Sequence, residues 1–164
     1  RLGASVTGLD ASEKNILTAR NHAERMGLQI EYRYSTVEAA AAASETYDVV
    51  LNMEVVEHVA DVDGFLRASC ELVAPGGCMF VATLNRTVKS FAFAIVGAEY
   101  VMRWLPRGTH DWRKFLRPSE IATNLRQGGL SVDEFAGLSF DPLRDRWQIG
   151  SDLSVNYMGY ATRA

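Results

Sequence analysis

The chain has 164 residues, of which 48% are hydrophobic and 23% charged, and its net charge is −3. These proportions exclude a collagen-like, disordered or multi-domain chain. They describe one globular domain, large enough to bury roughly 70% of its unfolded surface. The balance of charge does not point to a nucleic-acid partner, and the longest apolar run, Phe91 to Ala98, falls far short of the ~18–20 residues that span a bilayer.

The elements follow in chain order. Ala4 to Leu9 is a short β-prone run ending at Asp10, and Ser12 is placed to cap a helix with Glu13 in its first turn. Ile16, Ala19, Ala23 and Met26 recur at helical spacing until Gly27. Leu28 to Tyr34 reads as a strand and the alanine-rich Val37 to Ala43 as a helix. Tyr47 to Met53 is a continuous apolar strand suited to burial on both faces. A helix is expected over Val62 to Val73, a turn at Pro75-Gly76-Gly77, and a buried strand over Cys78 to Leu84. Pro118 starts a helix that runs to Gly128-Gly129. Leu130 to Phe140 and Val155 to Thr162 are the last strands, joined by a charged loop. This alternation is the α/β pattern, in which ligands bind at the carboxyl ends of the strands.

Asp10 ends the first strand. A carboxylate there suits the two hydroxyls of a ribose, although it could equally cap the next helix. Glu38 follows the next strand and could meet an adenine or simply start a helix. Asn52-Met53 is followed by Glu54-Val55-Val56-Glu57-His58. On a helix, positions 54, 57 and 58 share one face. Such a set could hold a divalent cation through oxygen ligands. His58 alone could be a general base, since an imidazole titrates near 6.5. The bland alternative is two acids at a helix start with a histidine satisfied by them.

Charge is unevenly placed. From Arg86 to Arg117 there are seven cations and two acids, a net of +5 against −8 for the remainder. Within this window Lys89 to Arg107 is apolar and aromatic, with cations at both ends. As a helix it places Phe91 and Ile95 on an apolar stripe, with Tyr100 and Trp104 at a depth suited to a membrane interface. A core helix or a lid on the sheet is the alternative. His110 beside Asp111 could be an oriented base, a substrate clamp or a structural loop pair, and Trp112 could stack on a ring or pack. His22 reads as a surface residue. Cys70 and Cys78 read as reduced thiols, which suits a reducing compartment such as a cytoplasm.

The segment LNMEVVEHVADVDGFLRASCELVAPGGCMFVATLNR, with VTGLD upstream, resembles the class I S-adenosylmethionine-dependent methyltransferases. More narrowly, ATLNR followed by KSFAFAIVGAEYVMRWLPRGTHDWRKFLRPSE, and the late VNYM, resemble the ubiquinone-biosynthesis O-methyltransferase family. The resemblance implies a Rossmann-like sheet flanked by helices, with a C-terminal antiparallel strand pair. It also implies a single, partial methyltransferase domain over 1–164, with a membrane or substrate insertion at about 86–117. The family's first strand and glycine-rich loop are expected upstream of Arg1; in this chain the motif is absent, and without it weak cofactor binding is expected.

The resemblance further implies S-adenosylmethionine as cofactor, with Asp10 on its ribose and Met53 near its adenosyl part. In members that need a divalent cation such as Mg2+, Glu54, Glu57 and His58 match the ligands. It implies methylation of a polyprenylated phenol or catechol, as 2-polyprenyl-6-hydroxyphenol methylase and 3-demethylubiquinol 3-O-methyltransferase. Implied partners are anionic membrane lipids and a quinone-biosynthesis complex. The implied location is peripheral, on the inner face of the bacterial membrane or the matrix side in a mitochondrion. Two rivals are a methyltransferase for a soluble phenol or acid, and a non-catalytic lipid-binding scaffold.

Overall fold

The structure is a computed structural model that describes residues 3–92, 111–141 and 145–164. The chain falls into two compact units, Arg1–Glu45 and Thr46–Ala164. The first holds β1 (Thr7–Asp10), α1 (Glu13–Arg25), β2 (Glu31–Tyr34) and α2 (Val37–Ala42). β1 and β2 pair in parallel, with Asp10 opposite Tyr34. The parallel crossover is carried by α1, which starts as its sequence dictates: the Ser12 hydroxyl accepts from the backbone N–H of Asn15, and Ile16 and Ala23 are its buried positions. Gly27 follows with φ +63°, a conformation that glycine adopts without penalty. Thr36 caps α2 in the same way. His22 is exposed.

The second unit contains β3 (Tyr47–Met53), α3 (Val62–Glu71), β4 (Val73–Leu84), α4 (Val88–Ser90), α5 (Pro118–Gln127), β5 (Ser131–Asp141), β6 (Arg146–Gly150) and β7 (Asn156–Thr162). Its sheet has the order β3-β4-β7-β5-β6. β3 and β4 are parallel, whereas β7 runs antiparallel to both β4 and β5. The core is built from Leu66, Met79, Val81, Ile121, Leu125 and Tyr157, each essentially inaccessible to water. The Tyr157 hydroxyl donates to the carbonyl of Leu116 (2.9 Å), which removes the cost of burying it. Cys70 and Cys78 are free thiols, and burial pushes the Cys70 thiol up to about 11.

Four expectations need correction. Among the described residues β3 is packed on one face: Val50 and Asn52 are buried, while Val49, Leu51 and Met53 are about half exposed. Alternation along a strand sends successive side chains to opposite faces, and β3 is an edge strand of its sheet with cover on one side. Pro75-Gly76-Gly77 does not end an element; β4 starts at Val73 and runs through these residues. The β3–β4 register shifts there, between Tyr47 and Val49, so the glycines form an irregularity inside a strand rather than a turn before one. Residues 54–58 are a bend and a turn, not a helix. The charged loop before the last strand contains a strand, β6, paired antiparallel with β5. It is an edge strand with Trp147 and Ile149 mostly exposed, so its alternation does not read as a buried face.

Beyond β4, a set of polar bonds fixes where the basic segment leaves the sheet. Asn85 Nδ2 donates to the carbonyl of Leu153 (2.8 Å), and the Thr87 hydroxyl donates to that of Ser154 (2.6 Å). Lys89 pairs with Asp152 (2.7 Å), and Trp112 Nε1 donates to the carbonyl of Thr87 (2.9 Å). Phe91 meets Trp112 edge to face, with centroids 6.3 Å apart. Trp112 is thus a packing residue that anchors both ends of the basic segment. Ile95, Tyr100, Trp104 and His110 lie outside the described residues.

Candidate active site

Asp10 ends β1, as the sequence indicates, and its carboxylate is held by the turn that follows. Oδ1 accepts from the backbone N–H of Ser12 (2.7 Å) and Oδ2 from Asn15 Nδ2 (3.1 Å). A carboxylate has about four acceptor positions. Two are occupied, so the group is oriented and still able to accept from a diol. Cap and ligand readings are therefore compatible at this residue. Glu38 is exposed in the first turn of α2, where its charge favours the helix dipole.

In the second unit, Met53 closes β3 and is 45% exposed. The next residue breaks the strand: Glu54 has φ +54°, an uncommon left-handed conformation for a non-glycine residue. Its backbone N–H still bonds the carbonyl of Ala82 (2.8 Å), and the N–H of His58 bonds that of Val55 (2.9 Å). This tight turn sends its side chains apart. Val56 and Glu57 are buried, while His58 is exposed.

Glu57 is the group that sequence reasoning placed correctly along the chain but not in space. Its Oε2 accepts from the Thr83 hydroxyl on β4 (2.8 Å), and its Oε1 is buried without a conventional donor. Glu54 is exposed as a residue, yet its carboxyl leans toward Glu57. Partial desolvation, the charge of Glu57 and a carboxyl–carboxyl hydrogen bond, in that order, push Glu54 up to about 8. The Glu54 carboxyl therefore keeps its proton at neutral pH.

That arrangement has a measurable consequence. Between pH 4.5 and about 8 the unfolded chain releases the Glu54 proton while the folded protein keeps it, so stability falls across this window and levels off above it. Partial exposure limits the effect to about 1 kcal/mol. Glu54→Gln, whose amide still donates to Glu57, is expected to raise Tm at pH 8 by roughly 2–4 °C. At pH 4.5 the variant and the parent should melt together. Parallel melting curves of the two proteins at every pH would refute the raised Glu54 carboxyl.

The expected ligand set Glu54, Glu57 and His58 does not form. Among the described residues no three histidine, cysteine or acidic side chains are grouped to hold a metal ion. The physical reason is the non-helical turn. It removes the common face on which these positions would converge, and leaves one protonated acid, one buried acid and an exposed imidazole. As placed in this structure, the three side chains do not converge on one point. Asp111 is likewise committed locally, accepting from the backbone N–H of Arg113 (3.0 Å) as the cap of a short 3-10 turn.

Known proteins resemble this chain in sequence and in fold. A family described as a methyltransferase domain matches residues 1–81. A ubiquinone biosynthesis O-methyltransferase of Parvibaculum lavamentivorans is 57% identical over all 164 residues and 65% of its own length. One from Brucella anthropi is 56% identical over 99% of the chain and 66% of its own length. The chain thus spans about two thirds of the length of the curated relatives it matches. Among solved structures, magnesium protoporphyrin IX methyltransferase of Synechocystis, with bound S-adenosylhomocysteine, superimposes with a TM-score of 0.68. The identity is 17%, with 99% of this chain and 67% of that one covered. A second, the plantazolicin methyltransferase, gives a TM-score of 0.69 at 16% identity, covering 99% of this chain and 69% of its own.

Residues 1–81 carry a methyltransferase domain. Along its whole length the chain is similar to ubiquinone biosynthesis O-methyltransferases.

Proposed function

We propose that the protein transfers a methyl group from S-adenosylmethionine to a hydroxyl of a polyprenylated phenol or catechol in ubiquinone biosynthesis. The observation that carries this reading is the 57% identity to a ubiquinone biosynthesis O-methyltransferase along the whole chain, basic segment included. The oriented Asp10 carboxylate, with acceptor positions to spare, fits the ribose of the cofactor. Met53 would lie against its adenosyl part, and Glu38 near the adenine. Bound S-adenosylmethionine supplies a methyl carbon already activated by its sulfonium sulfur.

The chain's own task is to orient the acceptor oxygen and take its proton. Alignment of this kind contributes several kcal/mol. His58, exposed on the turn after β3, accepts the phenol proton in this reading. Buried Glu57, pinned to Thr83, fixes the turn that carries it. A divalent cation is not needed for that role. The basic segment, with Phe91, Ile95, Tyr100 and Trp104, would rest on anionic lipid at the inner membrane face and receive the prenyl tail. No helix among the described residues is long and apolar enough to cross a membrane; the contact proposed is with the membrane surface. His110 is assigned a substrate contact, and association with other quinone-biosynthesis enzymes is part of the same proposal.

The test is methyl transfer by the full-length protein from labelled S-adenosylmethionine to a prenylated catechol and to a short soluble catechol, each with and without chelator. Incorporation into the prenylated catechol that survives chelation is expected. No incorporation would refute the activity, and loss on chelation restored by Mg2+ would replace the proton-based reading with a metal-based one. Deletion of residues 91–105 should abolish transfer to the prenylated acceptor. Transfer retained only on the soluble one would favour contact with the tail or bilayer over a core role for this segment.

A further inference from the structure

We infer that the apolar face of the β5–β6 hairpin is a specificity surface for the prenyl tail of the methyl acceptor, a role that rests on the reading of the acceptor as a prenylated phenol or catechol. The surface lies outside the basic segment and outside the groups assigned to proton removal.

Strand register dictates the patch. Directly opposed residues of antiparallel strands put their side chains on the same face. Leu138 stands opposite Ile149 and Phe140 opposite Trp147, so these four share one face. Arg146 and Gln148 alternate with them and project to the other, which leaves the patch without a charge from β6. The rings of Phe140 and Trp147 meet with centroids 5.5 Å apart. Phe140 is 39% exposed, Trp147 63% and Ile149 74%. Large apolar side chains gathered in this way on a surface mark contact with another apolar group. A hydrocarbon tail, which brings neither charge nor hydrogen-bonding group, matches them.

The topology sets this patch at the methyl-transfer end of the sheet. β5 is antiparallel to β7, β7 to β4, and β4 is parallel to β3. The carboxyl end of β5 therefore lies at the same end as Met53 and the turn that carries His58. β7 begins at Asn156, opposite Leu138, so residues 139–141 run on past β7 paired with β6 alone. The faces also agree. Read across the strands, Met53 stands in a row with Ala82, Met158 and Ala136, and the adjoining row is Leu84, Asn156, Leu138 and Ile149. From Met53 the patch is three to four strands away, about 15–20 Å at ~4.8 Å per strand. A tail must therefore span several strands to reach it, and a short one does not.

The hairpin is held in that position. A Cβ at Gly137 would collide with the carbonyl of Asp152, so the segment after β6 crosses β5 where only glycine leaves room. That segment is tied to the end of β4. The N–H of Asn85 bonds the carbonyl of Val155 (2.7 Å), and the side chains of Asn85, Thr87 and Lys89 bond Leu153, Ser154 and Asp152. A surface ordered before the tail arrives binds it at lower entropic cost.

The experiment compares the full-length parent with Trp147→Ser/Ile149→Ser in lipid-free detergent solution. Three acceptors are used: a catechol without a tail, one with a single isoprene unit and one with a long prenyl tail. In the variant, the ratio of kcat/KM for the long-tailed to the untailed acceptor is expected to fall at least about tenfold, through KM rather than kcat, as loss of apolar burial requires. The ratio for the single isoprene unit should change less than about twofold. Trp147→Phe/Ile149→Leu, which keeps an apolar surface, should restore the parent ratio. An unchanged long-tail ratio overturns the inference. A parent inactive on every acceptor refutes the methyl-transfer reading itself, and the tail surface with it, so the parent tells the two failures apart. Rival occupants have their own signatures in the serine variant: loss of a dimer in ultracentrifugation, loss of binding to acceptor-free vesicles, or a Tm lower by more than about 5 °C, the mark of another part of the chain packed on the patch. Any of these assigns the face elsewhere and overturns the tail.

Discussion

His58→Ala is expected to lower kcat by about 100- to 10,000-fold, the range that a positioned general base contributes, while the affinity for S-adenosylmethionine stays within about twofold. The expectation follows from placement. His58 is exposed on a tight turn at the carboxyl end of β3, and its backbone is held by the bond to Val55 and by the burial of its neighbour Glu57. Truncating the imidazole removes the proposed proton acceptor and leaves this backbone bond in place. The kcat–pH profile distinguishes chemistry from packing: the rise with pH due to deprotonation of the base should disappear in the variant. Normal turnover in His58→Ala would move the role of base elsewhere. Glu54, with its carboxyl at about 8, would be the next group to substitute.

Asp10→Ala should produce the opposite kinetic pattern. Losing two hydrogen bonds from ribose hydroxyls to a charged acceptor costs about 3 kcal/mol, or roughly a hundredfold in affinity for the cofactor. At saturating cofactor, kcat should be nearly unchanged, because the role proposed for Asp10 is in binding the cofactor and not in removing the proton. The substitution also strips the acceptor for Ser12 N–H and Asn15 Nδ2, a loss of the size of a helix cap, about 1 kcal/mol. A melting curve measures that part separately. Asp10→Asn separates the two contributions, since the amide oxygen keeps one acceptor for the turn but lacks the charge. Calorimetry with S-adenosylhomocysteine on both variants is the direct measurement. Cofactor affinity equal to that of the parent in both would leave Asp10 as a structural cap alone.

Local signals located most elements to within a few residues. Ser12 and Thr36 cap the helices that their positions indicate, and Pro118 opens α5. These features depend on a few neighbouring residues, so they are legible in order along the chain. β6 was not legible for a related reason. It is an exposed edge strand, and its apolar positions Trp147 and Ile149 face solvent. Its identity as a strand comes from the β5 partner, in which Phe140 stands opposite Trp147.

The site divides the same way. Asp10 at a strand end, and the EVVEH run after another, follow from residue type and order, as does membership of the methyltransferase family. The relations among Glu54, Glu57 and His58 do not. A helix over 54–58 would have gathered them, whereas the left-handed residue at Glu54 turns Glu57 inward to Thr83, a partner 26 positions away. Likewise, Arg86 is neutralised by Glu120, 34 positions on, a pairing that a count of charges along the basic window does not show. By itself the sequence determined the order of elements, their caps and the family. Only the tertiary structure decided which charged groups meet, because such pairings are set by strand register and helix packing, and neither is a property of neighbouring residues.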